Sequence, residues 1–251
     1  GVAPEPGQVC LTDPCIMCGR RIAQRFIAGD KLSMKQRIRF CTSRDSARIA
    51  FATAGEGPPL VRVNNWFTHL ELDWDNPVWR HWSEALVERR MLVRYDPRGS
   101  GLSDRDVTDF SLDALVSDLE AVVDALKLRR FPLIGLCQGG AIAAAYAARH
   151  PERVSRLMLY DSYLHGAFVG EVPEQLTRQA RAFSQMIELG WGSKVGAFRE
   201  LFANLLMPEA AVPQLKWISE LQRRSAAPAT ACNLWNAFNT FDIRAEAPKV
   251  I

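Results

Sequence analysis

Between Phe131 and His150 the chain reads FPLIGLCQGGAIAAAYAARH: an apolar strand-length run, a break at Cys137 among glycines, then a helix of alanine and glycine. This junction limits the fold more than any other stretch. A strand that turns straight into a small-residue helix requires a layered sheet with the helix close against it. The same rhythm continues on both sides. QRIRFCT and RIAFATA, separated by SRDSA, read as a strand hairpin. LVRVN follows the turn GEGPP as a third strand. PVWRHWSEALVERR has helical spacing with Pro77 in its first turn, and MLVRYD is a fourth strand. Ser111 caps the periodic helix LDALVSDLEAVVDAL, FPLIGLC is the fifth strand, and VSRLMLY after His150-Pro151 is the sixth. Such alternation predicts an α/β fold whose sheet is mostly parallel, with an antiparallel hairpin at its start. Right-handed crossovers place the strand-to-helix turns on one edge, where ligands bind. The loops after Val63, Asp96, Leu136 and Tyr160 therefore carry the site.

The texture divides the chain into an N-terminal extension or linker over 1–34, a core over 35–170, a helical lid over 171–240 and a return to the core over 241–251. Met34 would be a natural start for the folded part. The lid carries Trp191, Trp217, Trp235 and Phe238, which fit either a cover over the site or ordinary helix packing. No further strand pattern follows before Ile251, so the sheet is expected to stop short. VSRLMLY is then left with an apolar, unpaired edge that favours association through that strand.

Charge and hydropathy exclude several partners. A net charge of +3 with no long basic block argues against nucleic acid, and the apolar tracts are too short for a membrane span. The opening GVAPEPGQ has no basic n-region, so a cytoplasmic location is expected. Cys10, Cys15 and Cys18 form C-x4-C-x2-C, a spacing that suggests metal, but the only fourth ligand at hand is Cys41, inside a strand. Unligated thiols are the reading adopted: no metal, and no motif that calls for a cofactor.

G-L-C-Q-G-G between a strand and a small-residue helix is the setting of a nucleophile elbow. The sharp turn tolerates no bulk two positions either side, which Gly135 and Gly139 satisfy. Cys137 then sits at the positive end of a helix, which favours thiolate over thiol and makes it the most reactive thiol of the folded chain. A buried structural cysteine is the alternative.

At this point the chain resembles the α/β-hydrolase superfamily, through the hairpin, GEGPPLVRVNNW, RYDPRGSGLSD, LIGLCQGG and ARHPERVSRLMLY. RIRFCTS, WDNPVWRHW and VRYDPRGSGLSD are most similar to hydrolase-like domains found alone or fused to adenylate cyclases and LuxR-type regulators. The resemblance implies an α/β-hydrolase fold with a helical lid, truncated here before its last two strands, and a small apolar ester-like substrate. The family normally has Ser at the elbow; dienelactone hydrolases use Cys. It also implies an oxyanion hole of the backbone N–H groups of Trp66 and Gln138, with Asn64-Asn65 where the family has His-Gly.

The family order of nucleophile, acid and histidine is not completed. No histidine follows His165. His165 lies after the sixth strand and is the candidate base, although a structural role at the lid is the stronger reading. Asp161 occupies a position some relatives use for the acid. His69 follows the oxyanion turn, His81 belongs to a helix, and His150 falls at the far end of the elbow helix. Two functions stay open: a cysteine-dependent acyl hydrolase (esterase, lactonase or thioesterase), and a non-catalytic ligand-sensing domain of a signalling protein.

Overall fold

The computed structural model describes residues 35–250 apart from 194. The extension over 1–34, with Cys10, Cys15 and Cys18, lies outside the described residues. Among the described residues six strands form one sheet: β1 (Arg37–Thr42), β2 (Arg48–Ala54), β3 (Pro59–Val63), β4 (Met91–Tyr95), β5 (Phe131–Leu136) and β6 (Val154–Tyr160), in the order β1-β2-β4-β3-β5-β6. The pairs β1–β2 and β2–β4 are antiparallel and the other three parallel. The hairpin, the mostly parallel sheet and the sixth strand therefore stand as the sequence pattern predicts.

Strand residues alternate between two faces. Phe51, Val61, Val93 and Leu133 pack with α3 (Leu112–Ala125) and α4 (Gly139–Arg149). Ala52, Leu60, Leu92 and Ile134 face α1 (Leu70–Trp74) and α2 (Arg80–Val87). Ser111 caps α3, its hydroxyl accepting from the Ala114 N–H at 3.2 Å. Small residues bring α4 onto the sheet: a Cβ on Gly135 would meet Gly140 Cα at 2.7 Å and Ala143 Cβ at 2.8 Å. Pro132 is accommodated by a register shift in β5 between Phe131 and Pro132.

Two details depart from the sequence reading. A short helix, α1, precedes the one expected over PVWRHWSEALVERR, and that helix begins at Arg80, not in the Pro77 turn. The Asn76 side chain accepts from the N–H groups of Val78 (2.7 Å) and Trp79 (3.2 Å) and holds this stretch as a turn.

Over 171–240 the chain is helical: α5 (Glu174–Gly190), α6 (Gly196–Leu206), α7 (Val212–Ser225) and α8 (Pro228–Thr240). Its aromatics are not a separate core. The Trp66 ring stands 5.0 Å from Trp191 and 5.6 Å from Trp235, and Phe183 stands 4.5 Å from Trp235, centroid to centroid. Trp191, Trp235 and Phe238 are buried and Trp217 half-buried. β6 ends the sheet, and beyond Val154 most of it is exposed, with Met158, Leu159 and Tyr160 each 40–49% accessible. Among the described residues no helix is long and apolar enough to cross a membrane.

Candidate active site

The junction between β5 and α4 is a tight elbow. Cys137 has φ 48°, a left-handed conformation that costs a non-glycine residue on the order of 1 kcal/mol or more. Two hydrogen bonds hold it there: the Cys137 N–H donates to Tyr160 O at the end of β6 (2.9 Å), and the Gly140 N–H donates to Cys137 O (3.0 Å). Gly139 touches the end of β3, since a Cβ there would collide with Asn64 O and stand 2.7 Å from Val63 O. The elbow and the turn over 64–66 thus abut directly.

Of the expected oxyanion donors, Gln138 precedes α4 in helical conformation and Trp66 is buried, its carbonyl accepting from the Ser100 hydroxyl at 3.4 Å. Among the described residues neither N–H donates to another backbone carbonyl.

The Cys137 thiol is half-buried and donates to Asp161 Oδ2 at 3.9 Å, the long reach of a sulfur donor. Asp161 also has positive φ (53°), so the chain turns sharply after β6 to set the carboxylate beside the thiol. The expectation of a thiolate is corrected here. Burial, and next the negative charge of Asp161, push the Cys137 thiol up to about 12. The positive helix end is outweighed because burial disfavours the charged thiolate, and next because the carboxylate beside the sulfur opposes a second negative charge. Burial likewise raises the Asp161 carboxyl, which the hydrogen bond from Cys137 partly offsets.

Two neighbours of the elbow escape the sequence reading. The Ser162 hydroxyl lies against Gly140, where any Cβ would overlap it. Tyr163, whose hydroxyl donates to Phe238 O at 3.4 Å, is raised by burial and by the nearby Cys137. Neither belongs to a motif; they arrive through the return of the chain after β6.

The histidines go elsewhere. His165 Nδ1 lies 3.2 Å from Gly166 O, and its backbone bridges to Asp242, tying the segment after β6 to the chain after α8. His69 is buried at the start of α1, where burial lowers its basicity against the pull of Asp96. His150 stacks 4.6 Å from Tyr146 and faces Glu120 at 3.6 Å, at the end of α4 remote from the elbow. His81 is exposed on α2. Cys41 stays within β1, its thiol directed at Ile49 O (3.7 Å) and raised to about 11 by burial.

RYDPRGSGLSD proves to be a brace. The buried Asp96 carboxylate accepts from the Thr68 hydroxyl (2.7 Å) and from the N–H groups of Leu70 (3.1 Å) and Leu102 (2.9 Å). Gly101, at φ 55°, sits so close to that carboxylate that a side chain would overlap it. Arg98 pairs with the fully buried Asp118 at 2.7 Å and reaches Asp45 at 2.9 Å. The Asp96 bonds tie the loop after β4 to the turn that carries Trp66, and the Arg98 bonds tie it to α3 and to the turn between β1 and β2.

A family model described as alpha/beta hydrolase fold matches residues 66–189. Over 110 residues the chain is 36% identical to a 2-hydroxymuconate semialdehyde hydrolase of Pseudomonas sp. (strain CF600), covering 43% of this chain and 38% of the relative. Over 116 residues it is 35% identical to a pimeloyl-[acyl-carrier protein] methyl ester esterase of Nitrosomonas europaea, covering 46% and 42%. The chain spans less than half the length of these curated relatives. Among solved structures, an esterase from Exiguobacterium antarcticum superposes with TM-score 0.68 at 24% identity, covering 84% of this chain and 77% of that one. A bromoperoxidase from Bacillus anthracis gives 0.69 at 18%, covering 85% and 78%.

Proposed function

The chain has the α/β-hydrolase fold, and on that footing we propose that it acts on the acyl bond of a small apolar ester, lactone or thioester, with Cys137 as nucleophile. The observation that carries this reading is the strained backbone of Cys137, φ 48°, between β5 and α4. Such strain persists where the surroundings over-determine it, and here it lifts a thiol over a helix N-terminus.

In the proposed step Cys137 Sγ attacks the carbonyl carbon and a C–S bond forms. The carbonyl oxygen becomes an oxyanion in reach of the Gln138 and Trp66 N–H groups, each worth about 3 kcal/mol by the effect of single removals elsewhere. The thiol proton passes to Asp161 or water, the leaving group departs with a proton, and water then cleaves the thioester. With the thiol pushed up to about 12, loss of its proton limits acylation near neutral pH. Acylation is therefore slow and rises with pH.

The test is p-nitrophenyl acetate with mass spectrometry of the quenched protein. Acetyl on the peptide carrying Cys137, lost in Cys137→Ala, supports the reading. Turnover that persists in Cys137→Ala removes it.

A second reading, a hydrolase-shaped domain of a signalling protein that holds its ligand unchanged, is favoured by the protonated thiol. A compound that raises Tm and is recovered intact after long incubation would point to it.

A further inference from the structure

Arg62 and Arg94 stand side by side in the middle of the sheet. They are partners in the parallel ladder of β3 and β4, so their side chains leave the same face, about 4.8 Å apart at the backbone. That face is otherwise the apolar layer of Ala52, Leu60, Leu92 and Ile134 under α1 and α2. Arg62 is 5% exposed and Arg94 1%. Two like charges buried together are costly unless every donor finds a partner.

Here the donors are not all used. Arg94 Nη2 donates to Gln36 Oε1 (2.7 Å) and Leu70 O (3.2 Å), and its guanidinium carbon lies 4.8 Å from the Trp74 ring. Arg62 Nη1 reaches the Ser83 hydroxyl only at 3.5 Å. Arg62 Nε and Arg94 Nη1 are buried without an acceptor among the described residues. The nearby acids do not supply one. Asp73 acts on both arginines through its charge alone, with no side-chain hydrogen bond to either. The Asp96 carboxylate is already engaged by Thr68, Leu70 and Leu102. Burial, and next the charge of Arg94, lowers Arg62 to about 9, as expected for a cation short of compensation.

Buried donors without partners are rare in native proteins and mark a bound ion or water. We propose that Arg62 and Arg94 together hold a small monovalent anion, a halide or a carboxylate of formate size, between Nε of one and Nη1 of the other. Guanidinium groups suit both chemistries, donating two N–H bonds to a carboxylate or holding a single ion between their forks. Burial limits the occupant to a few atoms. The site is independent of the role given to Cys137.

The test is thermal melting at constant ionic strength, with sodium gluconate (too large to enter) replaced stepwise by chloride, bromide or formate. A saturable rise in Tm is expected, on the order of 5 °C once the anion exceeds its Kd about a hundredfold. A rise with halides and not formate assigns a halide; the reverse assigns a carboxylate. In Arg62→Met the rise disappears. Equal melting in all salts, or the same rise in Arg62→Met, overturns the proposal. Should that variant fail to fold, anomalous diffraction from wild-type crystals grown in bromide decides. Bromide between Arg62 and Arg94 supports the site, whereas water alone there in both bromide- and formate-grown crystals overturns it.

Discussion

Replacing Asp161 by Asn should turn Cys137 from a slow nucleophile into a moderately reactive one. The substitution keeps the size of the side chain and removes one negative charge 3.9 Å from Sγ. At about 4 Å, unit charges interact by about 1 kcal/mol in bulk water and about 4 kcal/mol at the effective dielectric of a protein surface. That corresponds to roughly 1–3 pH units in the thiol. The site is half-exposed, so a fall of about 2 units from about 12 is the working value. The direction is fixed by charge: an ionised Asp161 opposes the thiolate, so its loss lowers the thiol. Near neutrality the thiolate population should then rise about a hundredfold. Because nucleophilicity falls with basicity, the alkylation rate should rise only about tenfold. The assay is the pH–rate profile of iodoacetamide labelling at Cys137, followed by peptide mass spectrometry in wild type and Asp161→Asn. A wild-type midpoint near the ordinary 8.5, or identical profiles in the two proteins, would refute the electrostatic account of this elbow.

Other substitutions probe the scaffold. Gly139→Ala drives a methyl group into the backbone of Val63 and Asn64, which cannot swing aside, and should cost about 1–3 kcal/mol in urea unfolding. Arg98→Met leaves Asp118 buried without its partner, so a loss of about 3–5 kcal/mol is expected by chemical denaturation. Ser111→Ala removes the α3 cap and should cost about 1 kcal/mol, seen as a lower urea midpoint at unchanged m-value.

What the sequence determined by itself is whatever neighbouring residues decide together. The alternation of RIAFATA and MLVRYD set strands, Ser111 set the start of α3, and Gly135, Gly139 and the alanines set an elbow and a close-packed α4, because each pattern acts over a few residues. The motif GLCQGG therefore located Cys137, but not its charge state. That depends on Asp161, which comes from beyond β6, and on burial that only the assembled layers produce. For the same reason Ser162 and Tyr163 were invisible as neighbours of the elbow, and His165 could be placed after β6 without showing that it turns toward Asp242. Arg62 and Arg94 make the limit plainest. In the sequence they are two cations in separate strands, and only the parallel register of β3 and β4 sets them side by side. Local pattern is written in adjacent residues, whereas electrostatics is settled by what lies within a few ångströms, and that is decided by strand order, register and burial.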